Sequence, residues 1–194
     1  MKYLKFLLIV MLCQQIVGCT KTHEFGPYQG KVVERDTLKP IEGAVVFIEF
    51  LIRAPGLGGE SGYFGDAVET LTDKNGEFYI PIQKTTFTKR SLTQLGHHWD
   101  EDGYVIIFKP GYGTFPWHKN SAPTFSPTYS IPPKQYVTIQ LPKLHSIEER
   151  KRNMHFSTGL GVPNDKKMNL LRLECIERKR IGLEPTVNCC EDEK

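Results

Sequence analysis

Imidazole and carboxylate groups are concentrated in one short segment of the chain, where they could bind a metal ion. His97 and His98 precede Trp99, residues 100–102 are acidic, and His118 lies further on. Such side chains are typical ligands of zinc and iron. However, adjacent residues of a strand point to opposite faces, and no His-Glu-x-x-His or Cys-x-x-Cys pair accompanies them. We therefore expect a solvated polar loop and no cofactor. A metal-dependent enzyme or metal carrier that uses His97, His98 and His118 is the alternative.

The serines do not predict a hydrolytic site. Ser61, Ser91, Ser121 and Ser126 lie in loop-like segments that lack the Gly-x-Ser-x-Gly turn of a nucleophilic serine. The histidines and carboxylates also show no recognisable triad order. We therefore expect no catalytic residues and a protein that is not an enzyme.

Aromatic residues form a second candidate site in the segment that ends at residue 133. Rings on a proline-rich backbone can stack on sugars or accept an apolar side chain of a partner. The alternative is that the rings only cover one end of the fold. The candidate ligand-binding residues are Trp99, Tyr112, Phe115 and Trp117.

The first 19 residues, MKYLKFLLIVMLCQQIVGC, have the form of an export signal. The apolar run Phe6–Leu12 is far shorter than the roughly 20 residues that span a bilayer. Ile16-Val17-Gly18-Cys19 resembles the lipobox of bacterial lipoproteins. The resemblance implies that residues 1–18 are removed and that Cys19 carries the lipid, including palmitate, which anchors the protein to a membrane. An ordinary secretory signal is the alternative.

The net charge and the expected export of the protein limit the classes of partner that it can bind. The formal charge of +3 falls to about +1 once Lys2 and Lys5 leave with the signal, so nothing predicts a polyanion partner. An exported protein rarely meets nucleic acid, and we expect none. Thr20 follows the cysteine in place of aspartate. This fits sorting to the outer membrane, on its periplasmic side or surface, rather than retention at the inner membrane.

Three cysteines remain for an oxidising compartment once Cys13 and Cys19 are set aside. A bridge from Cys175 to Cys189 or Cys190 would close a loop of about 15 residues and stabilise the fold by about 3 kcal/mol. One thiol is then left over. A metal-binding or intermolecular pair at Cys189-Cys190 is the alternative.

Short β-strands account for most of the chain before residue 146. The predicted strands are 28–34, 44–52, 67–71, 78–82, 103–109 and 135–141, with proline, glycine and asparagine between them. In Thr72-Asp73-Lys74-Asn75-Gly76 the Asp side chain can accept amide hydrogen bonds, while Asn and Gly tolerate the left-handed region. We expect this pentad to be a hairpin turn. The whole pattern predicts an antiparallel β-sandwich.

The order of these motifs resembles the carboxypeptidase regulatory-like domain, a transthyretin-like or prealbumin-like sandwich. The resemblance covers roughly residues 27–142 and rests on three segments, GKVVERDTLKPIEGAVVFIEF, ETLTDKNGEFYIPI and YVIIFKPGY. It implies an accessory binding module and brings no peptidase residues with it. Residues 27–144 are therefore the predicted sandwich, and residues 19–26 form a lipidated tether.

Two insertions and a helical extension depart from that pattern. Residues 53–65 are glycine-rich and predict a surface loop, and a longer aromatic segment follows Tyr112. Residues 145–194 predict a helical extension, with a first helix capped by Ser146 and Glu149 and a second from 166 to 181 capped by Asn164 or Asp165. We expect a membrane-anchored, non-enzymatic binding or assembly module for protein or polysaccharide in the cell envelope.

Overall fold

The protein is mainly β over the residues that a computed structural model describes, which are 19–89, 94, 96–123, 131–159 and 161–184. Ten strands precede two α-helices there. The strands are β1 (Cys19–Phe25), β2 (Tyr28–Glu34), β3 (Val45–Gly56), β4 (Gly59–Leu71), β5 (Glu77–Ile80), β6 (Gln83–Lys89), β7 (His98–Trp99), β8 (Tyr104–Phe108), β9 (Ala122–Pro123) and β10 (Tyr136–Leu141). The helices are α1 (Ile147–Asn153) and α2 (Met168–Arg180), with a 3₁₀ helix, Asn164–Lys166, between them.

Two main sheets pack against each other. Sheet I has the strand order β5-β2-β10-β9, and sheet II places β3 between β4 on one side and β7 and β8 on the other. Their shared core includes Val32 and Ile139 of sheet I and Val46 and Ile107 of sheet II. β2 and β10 pair in parallel, so sheet I is mixed and not wholly antiparallel as the sequence predicted.

β3 is the central strand of the molecule because both of its faces are covered. Val46 and Ile48 pack in the core between the sheets, while Val45 and Phe47 pack in a second core beneath the helices. A strand buried on both faces needs a continuous apolar run, which Val45–Phe50 supplies apart from one residue, Glu49. By strand alternation Glu49 faces the same side as Val45 and Phe47.

The C-terminal helices form the third layer, on the outer face of sheet II. Leu170 and Leu173 of α2 are buried there. Arg150 of α1 donates two hydrogen bonds to the buried Glu177 of α2, from Nε at 2.7 Å and from Nη2 at 2.6 Å. This paired geometry satisfies both oxygens of a carboxylate that is withdrawn from water and joins the two helices.

The first turns of the two helices are capped differently, α1 by a residue next to it in sequence and α2 by a residue distant in sequence. The capping box of Ser146 and Glu149 is confirmed at the start of α1. The cap predicted for α2 at Asn164 or Asp165 is wrong, because those residues lie in the 3₁₀ helix. Instead, Glu69 of β4 accepts hydrogen bonds from the N–H groups of Asn169 at 2.6 Å and Leu170 at 3.0 Å.

The pentad 72–76 is a turn between the two sheets and not a hairpin. β4 precedes it in sheet II, whereas β5 follows it and pairs with β2 in sheet I, so the hairpin prediction is wrong. The predicted Asp73 role is present, since its Oδ1 accepts from the N–H groups of Asn75 and Glu77 at 2.8 Å each. Thr72 is buried and fixes the start of this turn, because its hydroxyl accepts a hydrogen bond from Ala44 N–H at 2.8 Å.

Two predicted loops are strands. The glycine-rich segment 53–65 continues β3 and β4 as one long hairpin, with its turn at Leu57 and Gly58. Residues 19–25, expected to be a tether, form β1 and pair with all seven residues of β6. Strand alternation is hard to recognise in both segments, because glycine and threonine replace the usual apolar residues.

Two further features concern stability and location. Cys175 is disulfide-bonded, while its expected partners Cys189 and Cys190, like the signal segment 1–18, lie outside the described residues. None of the helices in the described ranges combines the length and the apolar character needed to cross a membrane.

Candidate ligand-binding site

Trp117 lies between two cavities at one edge of the molecule. Its side chain is 56% exposed and lines both of them. The edge is formed where the loop after Phe115 meets the segments that flank α1. An exposed indole between two cavities can contact a ligand from either side.

Asn153 holds the loop that presents Trp117. This residue ends α1 and is buried, with its Oδ1 accepting from Thr114 N–H at 2.8 Å. Its Nδ2 donates to Thr114 Oγ1 at 2.9 Å and to the Tyr112 carbonyl at 3.0 Å. Phe115 then exchanges two backbone hydrogen bonds with Ile107 of β8, each 3.0 Å long. Trp117 therefore follows a segment fixed to both a helix and a sheet.

The first cavity, the basic cleft, has a volume of about 650 Å³. Lys119, Lys143 and Arg152 line it, together with His118 and the carboxylate of Glu149. Glu149 is committed elsewhere, because its Oε2 accepts from the N–H groups of His145 and Ser146. Burial lowers the pKa of His118 and so favours the neutral imidazole. Three basic side chains against one carboxylate make the cleft suitable for an anionic ligand.

The second cavity, the Glu49 pocket, is smaller and apolar, with a volume of about 480 Å³. Its walls include Phe47 and Ile106, and its rim includes Tyr104 and Trp117. This volume is within the range of small-molecule sites, about 300–1,000 Å³. The pocket lies on the outer face of sheet II, on the same side as the helices.

Glu49 is the polar group of this pocket and is only 4% exposed. Its Oε2 accepts a hydrogen bond from Gly159 N–H at 2.9 Å, whereas Oε1 has no hydrogen-bond partner within the described part of the chain. Burial raises the pKa of Glu49, and the Gly159 N–H and the Lys167 charge oppose that shift. An unpaired carboxylate oxygen in an apolar site is costly unless a ligand satisfies it.

The four aromatic residues predicted to bind ligand are distributed between the core and the surface. Trp99 is 7% exposed and packs in the core between Phe25 and Phe87. Phe115 is also a core residue, and Tyr112 packs against the core while its hydroxyl donates to Glu34 Oε2 at 3.2 Å. Trp117 is the member of the set that lines the two cavities.

The three histidines of the metal alternative have separate surroundings. His97 stacks between Tyr63 and Phe87, with ring centroids 6.2 Å away on each side. His98 lies 3.8 Å from the Glu60 carboxylate, and His118 accepts a hydrogen bond from Asn120 N–H at 3.2 Å. Over the residues that the structure describes, no three His, Cys, Asp or Glu side chains are grouped closely enough to hold a metal ion.

Sequence reasoning missed Glu49 and Asn153. The signal for Glu49 was present, because a single carboxylate interrupts the apolar run Val45–Ile52. A charged residue in a strand buried on both faces requires a partner or a function. Asn153 carried no comparable signal, since asparagine is common at the end of a helix.

Comparisons with known proteins identify no relative. The chain matches no protein-family model, no curated protein and no solved structure.

Proposed function

We propose that this chain is a lipid-anchored protein of the bacterial cell envelope that binds an acidic polysaccharide through the basic cleft and Trp117. The near-neutral net charge gave no indication of a polyanion partner, but the cleft concentrates basic side chains locally. The lipobox-like segment that ends at Cys19 supports the anchor and the envelope location. The two-sheet core and the resemblance stated above support a transthyretin-like sandwich of the carboxypeptidase regulatory-like type. Because a fold alone does not define a function, the proposal rests on the site, and it assigns binding without catalysis.

The exposed Trp117 beside the basic cleft is the observation that carries this proposal. A sugar ring can stack on the indole, while Lys119, Lys143 and Arg152 line the same cavity and can pair with acidic substituents. The cleft is preformed because Asn153 fixes the adjoining loop, which reduces the entropy lost on binding. An envelope protein with an acidic surface could bind the same basic residues and is the second candidate partner.

The test uses the purified full chain and an acidic polysaccharide from the envelope of the source cells. We expect Trp117→Ala to weaken binding roughly fivefold or more, on the assumption that a sugar ring stacked on the indole contributes as a stacked base does, about 1–3 kcal/mol. Combining Lys119→Ala with Lys143→Ala should weaken it further and reduce its salt dependence. Calorimetry at two ionic strengths measures both effects.

The controls are matched for chemistry and exposure. Tyr79 is an aromatic residue 58% exposed on β5 of sheet I, and Lys39 and Lys74 are exposed lysines outside the cleft. Tyr79→Ala and the Lys39→Ala, Lys74→Ala pair should leave binding unchanged. Equal loss in the control and cleft variants would contradict the proposed site. Binding of an envelope protein in place of the polysaccharide would select the second candidate.

A further inference from the structure

Glu49 remains unexplained by the proposed polysaccharide site. It interrupts the strand that is buried on both faces and lines an apolar pocket, and its buried Oε1 has no hydrogen-bond partner among the residues described. A leucine or phenylalanine at this position would match Val45 and Phe47 and avoid the desolvation cost. The fold uses Oε2 of this carboxylate to accept the Gly159 N–H but provides no partner for Oε1 among the described residues.

The wall of the pocket determines which ligand suits that charge. Phe47, Leu51 and Ile106 provide apolar contact, and the rings of Tyr104 and Trp117 stand at the rim. Aromatic rings beside a carboxylate attract an organic cation, since their faces carry negative charge. The guanidinium of Arg53 already lies 5.6 Å from the centre of the Tyr104 ring, which shows one cation contacting this rim.

The charged groups around Glu49 leave its Oε1 without a cation. From the segment before α2, Lys167 faces Glu49, and from α2 itself Glu174 faces the same lysine. Lys167 donates its hydrogen bond to Thr158 Oγ1 at 3.1 Å. Arg53 at the rim is paired with Asp100 at 2.6 Å, and Lys167 is shared between Glu49 and Glu174. Neither cation donates a hydrogen bond to Glu49 Oε1.

We propose that the Glu49 pocket binds a small organic ammonium ion, with its charged group against Glu49 Oε1 and its apolar body against Phe47, Leu51 and Ile106. The ammonium donates the hydrogen bond that Oε1 lacks and neutralises a buried charge. The apolar body fills a cavity of about 480 Å³. This activity goes beyond the proposed polysaccharide binding and depends on neither the lipid anchor nor the basic cleft.

The test compares two probes of nearly equal shape on the full chain in non-ionic detergent. The first, 2-phenylethylamine, is positively charged below a pH of about 10, and the second, 2-phenylethanol, is neutral. We expect calorimetry to show tighter binding of the amine than of the alcohol. Glu49→Gln should weaken amine binding at least about tenfold and leave alcohol binding nearly unchanged, because hydrogen bonds to a charged group are the stronger ones.

Two further variants separate the role of Glu49 from general disturbance of the fold. A Cβ added at Gly159 would lie 2.2 Å from Glu49 Oε1, so Gly159→Ala should also weaken amine binding. Glu60 is an exposed carboxylate on β4, and Glu60→Gln should bind the amine as the wild type does. Circular dichroism and thermal melting establish that each variant is folded.

The pH dependence provides an independent check. The amine requires ionised Glu49, so its affinity should fall as the pH is lowered through the raised pKa of Glu49.

Equal affinity for the two probes, failure of either to bind, or amine binding unaffected by Glu49→Gln would overturn the proposal. An affinity that rises at low pH would also overturn it, because Glu49 would then act as a neutral donor. Since Cys19 and the basic cleft take no part, failure of this test leaves the proposed function standing.

Discussion

At the scale of single residues, the sequence indicates a local requirement, and the structure adds the contacts with distant parts of the chain. The sequence predicts a left-handed backbone conformation at Gly76, and its φ is +75°. The structure adds a second constraint, because a Cβ there would lie 2.4 Å from the carbonyl oxygen of Val32. Trp117 was predicted as a ligand contact, and the structure places it at two cavities. Glu49 was missed because its role depends on which strand face the helices cover.

Gly76→Ala should destabilise the protein by about 2 kcal/mol or more. The positive φ alone costs an alanine about 1–2 kcal/mol, and the approach to Val32 adds strain. Gly58 is the matched control, because a Cβ there meets no atom within 4 Å. Urea unfolding measures both variants, and equal stability losses would show that the turn does not impose this constraint.

Glu49 should make the stability of the wild type decrease as pH rises above about 4.5, the ordinary pKa of this carboxyl, through the raised pKa in the folded state. The lowered pKa of His118 opposes this decrease below about pH 6.5 and does so equally in wild type and Glu49→Gln. A carboxyl whose pKa is raised by folding binds its proton more tightly in the folded state, so stability is greatest below the unfolded value. Glu49→Gln should reduce this decrease. Burial also raises the pKa of Glu174, so part of the decrease in stability should remain in Glu49→Gln. An unchanged pH profile in Glu49→Gln would contradict the assignment.

The secondary-structure elements were predictable where their signals are local. The capping box at Ser146, the apolar strand β3 and the alternating strand β10 all depend on contacts within a few residues. The partner of each strand was not predictable, because pairing depends on contacts distant in sequence. This explains why the turn at Asp73 was identified while its path between the sheets was not.

Glu69 provides a long-range cap that can be tested directly. Its carboxylate receives two N–H groups at the start of α2, where Lys167 offers no side-chain cap. Glu69→Ala should cost about 1–2 kcal/mol of stability and speed hydrogen exchange at the Asn169 and Leu170 amides. Glu60→Ala, on the exposed part of the same strand, should have little effect on either measurement. Unchanged exchange at the two amides would rule out the cap.

At the scale of the whole molecule, three layers share one central sheet. Sheet I covers one face of sheet II, and the helices cover the other. The helices leave part of the outer face uncovered, and the two cavities lie at this edge beside Trp117. β1 begins at Cys19 and pairs at once with β6. Under the proposed acylation, this arrangement would hold the folded part of the chain close to the membrane surface.

Cys19→Ala should release the protein from membranes if the lipid is its anchor. We expect the wild type to sediment with membranes and incorporate radiolabelled palmitate, and the variant to do neither. A Cys19→Ala protein that is still labelled and membrane-bound would refute the anchor.

Recovery of the bound material from native membranes tests the central claim most directly. Tagged wild-type protein and Trp117→Ala are expressed at equal levels, purified from their own membranes, and analysed for acidic sugars and for proteins. The proposed function predicts that acidic polysaccharide accompanies the wild type and is depleted roughly fivefold or more with Trp117→Ala. Equal recovery of that polysaccharide with both proteins, or its absence from both, would contradict it.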